Sequence, residues 1–266
     1  MSSVNLVCST LLRAGVALVA MAVSSSALAE TMTMNYGNVT AANVVFGSVT
    51  EASLTNSTPV YGTPSVSADS LCFNLSGVGA FNIKAQNGGF DFVDGQLTST
   101  ISAKSSYGID TVTIQENGDY SLFGSGSTAT QVSVTLSLAS LKIDAVNGVG
   151  ITPIIVSLNS PLTYNLVDNA GDGKLWSITL PVNIDSILAQ KGISGQATLI
   201  TLTFDNSILA LSESTSGAFI AKKSAEIDVV TSSVPEPGTF ALLGVGGIGL
   251  AFWAWRKRRA AVCNAV

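Results

Sequence analysis

Two stretches of this sequence alternate apolar and polar residues without a break, and that alternation limits the fold more than any other feature. Val132, Val134, Leu136 and Leu138 are interleaved with Gln131, Ser133, Thr135 and Ser137. Trp176, Ile178, Leu180, Val182 and Ile184 are interleaved with Ser177, Thr179, Pro181, Asn183 and Asp185. Successive side chains of a strand point to opposite faces, so a period of two gives each strand one apolar and one wet face. An amphipathic helix needs a period near 3.6 and cannot use this pattern. The theme recurs in Leu71, Phe73 and Leu75, in Phe81 and Ile83, and in Val112 and Ile114. It returns in Thr198, Ile200, Leu202 and Phe204, and in Ala225, Ile227 and Val229 with Glu226 and Asp228 facing outward. Roughly a dozen short strands, with turn signals every 8–12 residues, predict an all-β fold. One wet and one dry face per strand suits antiparallel sheets packed face to face, so the expected architecture is a jelly-roll-like β-sandwich.

Punctuation between the strands predicts their connections. Asn56 to Pro64, with two prolines and Gly62, reads as a loop, and Gly124 to Thr128 as another. Asn87-Gly88-Gly89 and Asp94-Gly95 read as turns, and Asn117-Gly118-Asp119 as a tight hairpin. Pro181 lacks a ladder donor, which places its strand at an edge or a bulge. Asp185 to Lys191 is the one helix predicted among these strands, capped by Asp185 or Ser186 and stopped by Gly192. Thr231-Ser232-Ser233 reads as a polar tether.

Both ends carry long apolar runs of a different kind. Near the N-terminus, Arg13 precedes the apolar stretch Ala14 to Val23, and Ser24 to Ala29 ends in Ala27-Leu28-Ala29. That order predicts a secretory signal over residues 1–29, cut between Ala29 and Glu30 by signal peptidase after passage through the secretory translocon. An uncleaved anchor is the competing reading, but the run is short for a span. At the other end, Val234-Pro235-Glu236-Pro237 is followed by an uncharged stretch from Thr239 to Trp255 and then by Arg256-Lys257-Arg258-Arg259. Such a stretch falls at the short end of the roughly 17–25 residues that cross a bilayer as a helix. Trp253 and Trp255 fit an interfacial aromatic belt, and the four cations hold that end in the cytoplasm. The division is therefore a signal (1–29), an ectodomain (30–230), a linker with the Pro-Glu-Pro motif (231–238), one transmembrane helix (239–255) and a basic tail (256–266).

Charge and residue usage narrow the chemistry. Residues 30–238 hold all seventeen acids against seven lysines. A surface of that sign disfavours nucleic acid, whose phosphates are bound by Lys and Arg. Cys72 is the ectodomain's lone cysteine, so no disulfide forms within it, and its place between Leu71 and Phe73 marks a half-buried small hydrophobe. The chain has no histidine, which removes the usual general base and the histidine-containing triads. Paired-carboxylate glycan chemistry survives that cut. The acids, however, lie mainly in predicted turns (Asp94, Asp119, Asp168, Asp172) or on outward strand faces (Glu226, Asp228), where solvated charge is the plainer reading.

Asp168 and Asp172, within Asp168-Asn169-Ala170-Gly171-Asp172-Gly173-Lys174, form a candidate calcium site. Ala170 at the third position and Thr179 at the twelfth depart from the oxygen-rich loop that calcium prefers. A hairpin joining Leu162–Val167 to Leu175–Ile184 is favoured over calcium, and no cofactor or catalytic residue is assigned. Gly244-Val245-Gly246-Gly247-Ile248-Gly249 matches a dinucleotide fingerprint only formally, since no strand leads into it. Exposed aromatics would mark glycan stacking. Tyr61, Tyr107 and Tyr120 sit in or beside predicted loops, whereas Trp176 and Tyr164 fall in register with core positions.

The C-terminal order of Val234-Pro235-Glu236-Pro237, apolar span and Arg256–Arg259 resembles the PEP-CTERM sorting signal of Gram-negative bacterial surface proteins. The resemblance covers residues 234–259. It implies that Pro235, Glu236 and Pro237 are recognised by exosortase, a membrane-embedded protease-transferase, and that Arg256–Arg259 stop transfer. It further implies a precursor held transiently in the inner membrane, N-terminus out and C-terminus in, and then released to the cell surface or extracellular matrix. Members are associated with exopolysaccharide and biofilm. The tail Ala260–Val266 departs from the family pattern, which usually ends soon after the basic cluster. The expected protein is therefore a non-enzymatic surface or matrix component. The alternatives are a glycan- or exopolysaccharide-binding module and, third, a carboxylate-dependent glycan hydrolase or lyase.

Overall fold

Residues 32–75 and 81–234 are described by the computed structural model, and antiparallel strands occupy most of them. The strands are β1 (Met32–Thr40), β2 (Val44–Ser53), β3 (Ser65–Ser67), β4 (Ser70–Asn74), β5 (Asn82–Gln86) and β6 (Phe90–Ala103). They continue with β7 (Tyr107–Gly124), β8 (Gln131–Val146), β9 (Val149–Asn165), β10 (Gly171–Asn183), β11 (Ala197–Leu211) and β12 (Ser216–Ser233). Two short helices, α1 (Leu166–Asn169) and α2 (Ile184–Gln190), flank β10.

Pairing divides these strands into two runs. One follows the order β9-β8-β11-β6-β2-β1. The other is β10-β7-β12, with β5 and β4 alongside successive stretches of β12 and β3 outside β4. A bridge between Ala197 and Ile109 links the runs into a nearly closed sheet. The buried side chains of both runs belong to one core, where Leu136 and Leu138 of β8 and Phe204 of β11 join Ile114 of β7 and Ile220 of β12. The predicted alternation is realised in β8 and in β10, whose Trp176, Ile178, Leu180 and Val182 point inward between exposed neighbours. β10 pairs β7 alone, so Pro181 sits on an edge strand as expected.

Several expected turns are instead strand interiors, and the reason is close packing. Asn117-Gly118-Asp119 lies in the middle of β7, paired on both sides, and Asp94-Gly95 lies within β6. A Cβ on Gly118 would stand 2.0 Å from the Ala221 carbonyl oxygen and 2.5 Å from the Trp176 ring. One on Gly95 would stand 2.6 Å from Val60 and 2.8 Å from the Phe81 ring. Both glycines are there to admit an aromatic residue, not to reverse the chain. Asn87 and Gly88 do turn, with positive φ values of 54° and 83°.

The Asp168–Lys174 segment is not a hairpin either. β9 pairs β8 while β10 pairs β7, so the segment crosses between the two runs. The crossing includes the helical turn α1, whose Asp168 N–H is capped by the Asn165 side chain. In α2 the cap is Asn183, which accepts from the Ser186 N–H at 2.7 Å, two or three residues earlier than the expected Asp185 or Ser186. Gly192 ends that helix with φ 69°, as expected. Thr231-Ser232-Ser233 is not a tether but the paired end of β12. Among the described residues no helix is long and apolar enough to cross a membrane, and the signal, the span 239–255 and the basic tail lie outside them.

Because the Gly118 clash falls on backbone as well as on a ring, Gly118→Ala is expected to destabilise the fold by about 2–3 kcal/mol, at the upper end for overpacking. Urea denaturation of the purified protein measures this, with an unchanged midpoint as the contrary result.

Candidate functional site

Three places on the β7–β12 ladder carry chemistry: its inner face, its outer face and its C-terminal end. On the inner face, β7 presents Val112, Ile114 and Glu116 to the core, and β12 presents Ala218, Ile220 and Lys222. Lys222 Nζ lies 2.8 Å from Glu116 Oε2, and neither side chain has any exposure. Burial pushes the Glu116 carboxyl up, a shift that Lys222 opposes, and burial pulls the Lys222 amine down, a shift that Glu116 opposes. Both displacements favour the uncharged forms. The amine also lies 4.3 Å from the Phe81 ring centroid. Asn206 of β11, fully buried, lies against Glu116 and donates from Nδ2 to the Tyr61 hydroxyl.

A second buried carboxylate holds the neighbouring loop. Glu51 of β2 has no exposed surface. Its Oε1 accepts the backbone N–H groups of Val60 and Tyr61, and its Oε2 accepts the Tyr36 hydroxyl at 2.6 Å. Burial and then the Glu51 contact push the Tyr36 phenol well up. This clamp draws Tyr61 into the core, where its ring meets Phe73, Phe81 and Phe204 edge-on at centroid distances of 5.4, 5.0 and 6.2 Å. The expectation of an exposed Tyr61 is thereby corrected. Tyr120 is corrected too, being buried and stacked on half-buried Tyr164 at 4.3 Å. Tyr107 is half-buried at the start of β7.

On the outer face, an open groove of about 410 Å³ crosses four strands. Its lining comprises Lys84 of β5, Phe219 of β12, Asp119, Ser121 and Phe123 of β7, and Asp172 and Gly173 of β10. Lys84, Phe219 and Ser121 stand in one cross-strand row. Phe123 covers Gly217, where a Cβ would fall 2.3 Å from the ring, yet remains 46% exposed. Ser121 donates to Asp172 at 2.6 Å and accepts the Gly173 N–H at 3.0 Å. Asp119 pairs with Lys223 at 3.5 Å on the surface.

Asp168 and Asp172, the calcium candidates, are therefore engaged separately. Asp172 faces Ser121 across the groove, while Asp168 accepts from the Asn165 side chain in α1. Among the described residues no group of three or more acidic or cysteine side chains is arranged to hold a metal. Cys72 is half-buried as expected, and burial, followed by Glu226 and Asp228, pushes its thiol up and away from reactivity.

At the C-terminal end, Ser233 pairs with Tyr107, and the Val234 N–H donates to the Ser106 carbonyl at 2.8 Å. Ser232 donates to Asp110 at 2.8 Å, and Thr231 to Asp69 at 3.1 Å. The strand stays fastened up to the residue before Pro235. Ala27, Ala29, Glu30, Pro235, Glu236, Pro237 and Arg256–Arg259 lie outside the described residues.

The molecule is thus an antiparallel β domain whose last strand runs directly into a C-terminal signal. Residues 233–259 match the PEP-CTERM protein-sorting motif, so the chain carries a PEP-CTERM sorting signal at its C-terminal end. Such signals occur on exported proteins of Gram-negative bacteria and are substrate signals of exosortase. No curated protein matches the chain. Among solved structures, TmCBM61 in complex with β-1,4-galactotriose is similar at 9% identity, covering 62% of this chain and 88% of that one, with a TM-score of 0.22. The family 11 xylanase from Neocallimastix patriciarum is also 9% identical, with 75% and 100% coverage and a TM-score of 0.24. The basic winged bean lectin with Tn-antigen is 9% identical, with 75% and 99% coverage and a TM-score of 0.22. Likenesses at these TM-scores carry no argument about fold or function.

Sequence reasoning missed Glu51, Glu116, Lys222 and Asn206. The available signal was register: Glu116 stands two residues beyond Ile114, and Lys222 two beyond Ile220. Glu51→Gln places a donor amide where the carboxylate accepts three donors, and is expected to cost about 1–3 kcal/mol. Chemical denaturation tests this, and loss of Tyr61 burial follows by near-ultraviolet circular dichroism. Unchanged stability and spectrum would show that the clamp is dispensable.

Proposed function

We propose that this protein is a non-enzymatic surface or extracellular-matrix component, delivered through the inner membrane and processed by exosortase. The observation that carries this reading is the sorting motif at 233–259, which begins where β12 ends. In this reading the signal over 1–29 is removed by signal peptidase after passage through the translocon. Residues 239–255 then hold a single-pass precursor, N-terminus out and C-terminus in, as a temporary handle. The two runs of strands pack as a jelly-roll-like β-sandwich, and the matrix is that of a biofilm rich in exopolysaccharide. The reading is supported by the enclosure of Glu51 and Glu116, since no substrate reaches side chains without exposed surface. Cells with and without exosortase provide the test. Wild-type protein should leave the inner membrane and lose residues 239–255 only in exosortase-competent cells, and triple substitution of Pro235, Glu236 and Pro237 by Ala should retain the precursor. Release of the triple variant at the wild-type level would overturn the reading.

The outer groove favours a second reading, a glycan-binding module. Phe123 and Phe219 offer apolar ring surface beside the hydroxyl and carboxylate acceptors of Ser121, Asp119 and Asp172, the combination that a polyhydroxylated ligand engages. A broad glycan array tests it. Binding that falls at least tenfold in Phe123→Ala and Phe219→Ala supports the module, and a folded wild-type protein that binds no glycan counts against it.

A further inference from the structure

We propose that Lys222 and Asn206 become joined by an intramolecular isopeptide bond, with Glu116 as the residue that moves the proton. The three side chains come from three strands and meet inside the core: Lys222 from β12, Asn206 from β11 across the interior, and Glu116 from β7 beside β12. Glu116 touches both partners. Its Oε2 is 2.8 Å from Lys222 Nζ, and the Asn206 amide lies against the same carboxylate.

The noncovalent arrangement leaves these groups poorly satisfied. Lys222 Nζ, both Glu116 oxygens and Asn206 Oδ1 are buried, and none makes a well-aligned hydrogen bond despite their proximity. Buried polar atoms are normally paired, and two enclosed oxygens without a partner, Glu116 Oε1 and Asn206 Oδ1, beside an ion pair of 2.8 Å require a cause. A buried ion pair contributes little stability of its own, so packing alone does not explain why a lysine points inward here. Reactivity does.

The chemistry balances with the atoms present. Burial favours the neutral amine of Lys222 and the protonated carboxyl of Glu116. Nζ attacks Cγ of Asn206, forming the new C–N bond. Glu116 supplies its proton to Nδ2, which also donates to Tyr61, and the carboxylate so formed takes one from Nζ. The Cγ–Nδ2 bond then breaks, and ammonia leaves. One amide replaces another, so no oxidant, nucleotide or metal is consumed. The product removes the buried amine and keeps a neutral N–H facing Glu116. Phe81 and Tyr61 stand beside the Lys222 amine and Phe73 and Phe204 pack on Tyr61, an apolar surround that excludes the water that would compete for Cγ. The bond would tie β11 to β12, the strand that leads to the sorting signal.

Peptide mass mapping of the exported, folded wild-type protein tests the proposal. Lys191 and Lys223 are the trypsin sites that bracket both residues, with Lys222 between them. The expected product is the fragment 192–223, uncut after Lys222 and lighter than its sequence by one ammonia. Glu116→Gln, shown to be folded by circular dichroism, should instead release 192–222 at full mass, as should Asn206→Ala. Lys222→Arg should give 192–222 at its own sequence mass. Release of the unmodified 192–222 fragment from folded wild-type protein would overturn the bond. So would ammonia loss with cleavage after Lys222 intact, which signals a cyclised asparagine. Loss of water with a link to Glu116 would overturn the choice of Asn206, and a bond surviving in Glu116→Gln would overturn the role of Glu116.

Discussion

The antiparallel ladder between β7 and β12 is the interaction from which the rest of the molecule takes its arrangement. It runs from Ser216 paired with Gly124 to Ser233 paired with Tyr107, so almost the whole of both strands is committed to it. Its inner face supplies Glu116 and Lys222 to the core, its outer face supplies Asp119, Ser121, Phe123 and Phe219 to the groove, and its end delivers the chain to the sorting motif. A shift in its register would disturb all three, because a one-residue slip sends every side chain to the opposite face.

One irregularity inside this ladder decides which residues are buried. The register shifts between Lys222 and Ser224, where β12 carries one residue more than its partner. Before the shift, Ala218, Ile220 and Lys222 face inward, and after it Ala225, Ile227 and Val229 do. Such a bulge re-aims a side chain at the cost of one ladder position. Here it ends the inward series on a lysine, and the opposing Gly118 has no side chain to compete for that space. Trp176 occupies the room that Gly118 leaves, donating from its indole nitrogen to the Ala221 carbonyl at 3.2 Å.

Much of the strand content was legible because alternation is a local property. The series 132–138 and 225–229 and the alternation from 176 to 183 read correctly from spacing alone, as did the edge position of Pro181, while Ile184 opens α2. The errors share a cause. Asn117-Gly118-Asp119 and Asp94-Gly95 have turn composition, yet each glycine is present because a distant ring needs the space. Tyr61 sits in a loop sequence, and only the Glu51 clamp from β2 carries it inward. For Asp168–Lys174, the turn residues were recognised but not the crossing between runs, which depends on where β10 finds its partner.

The sequence by itself determined the period-two strands, the acidic and histidine-free character of the ectodomain, and the sorting signal. Each of these is read from neighbouring residues or from composition, and none needs a distant contact. Tertiary structure alone decided that Lys222, Glu116 and Asn206 share one enclosed space and that two phenylalanines flank an outer groove. It also decided that the sorting motif begins without slack at the end of a paired strand. Those residues are far apart in the chain, and what brings them together is the pairing order of the strands and one bulge in β12. Neither leaves a mark in the local pattern.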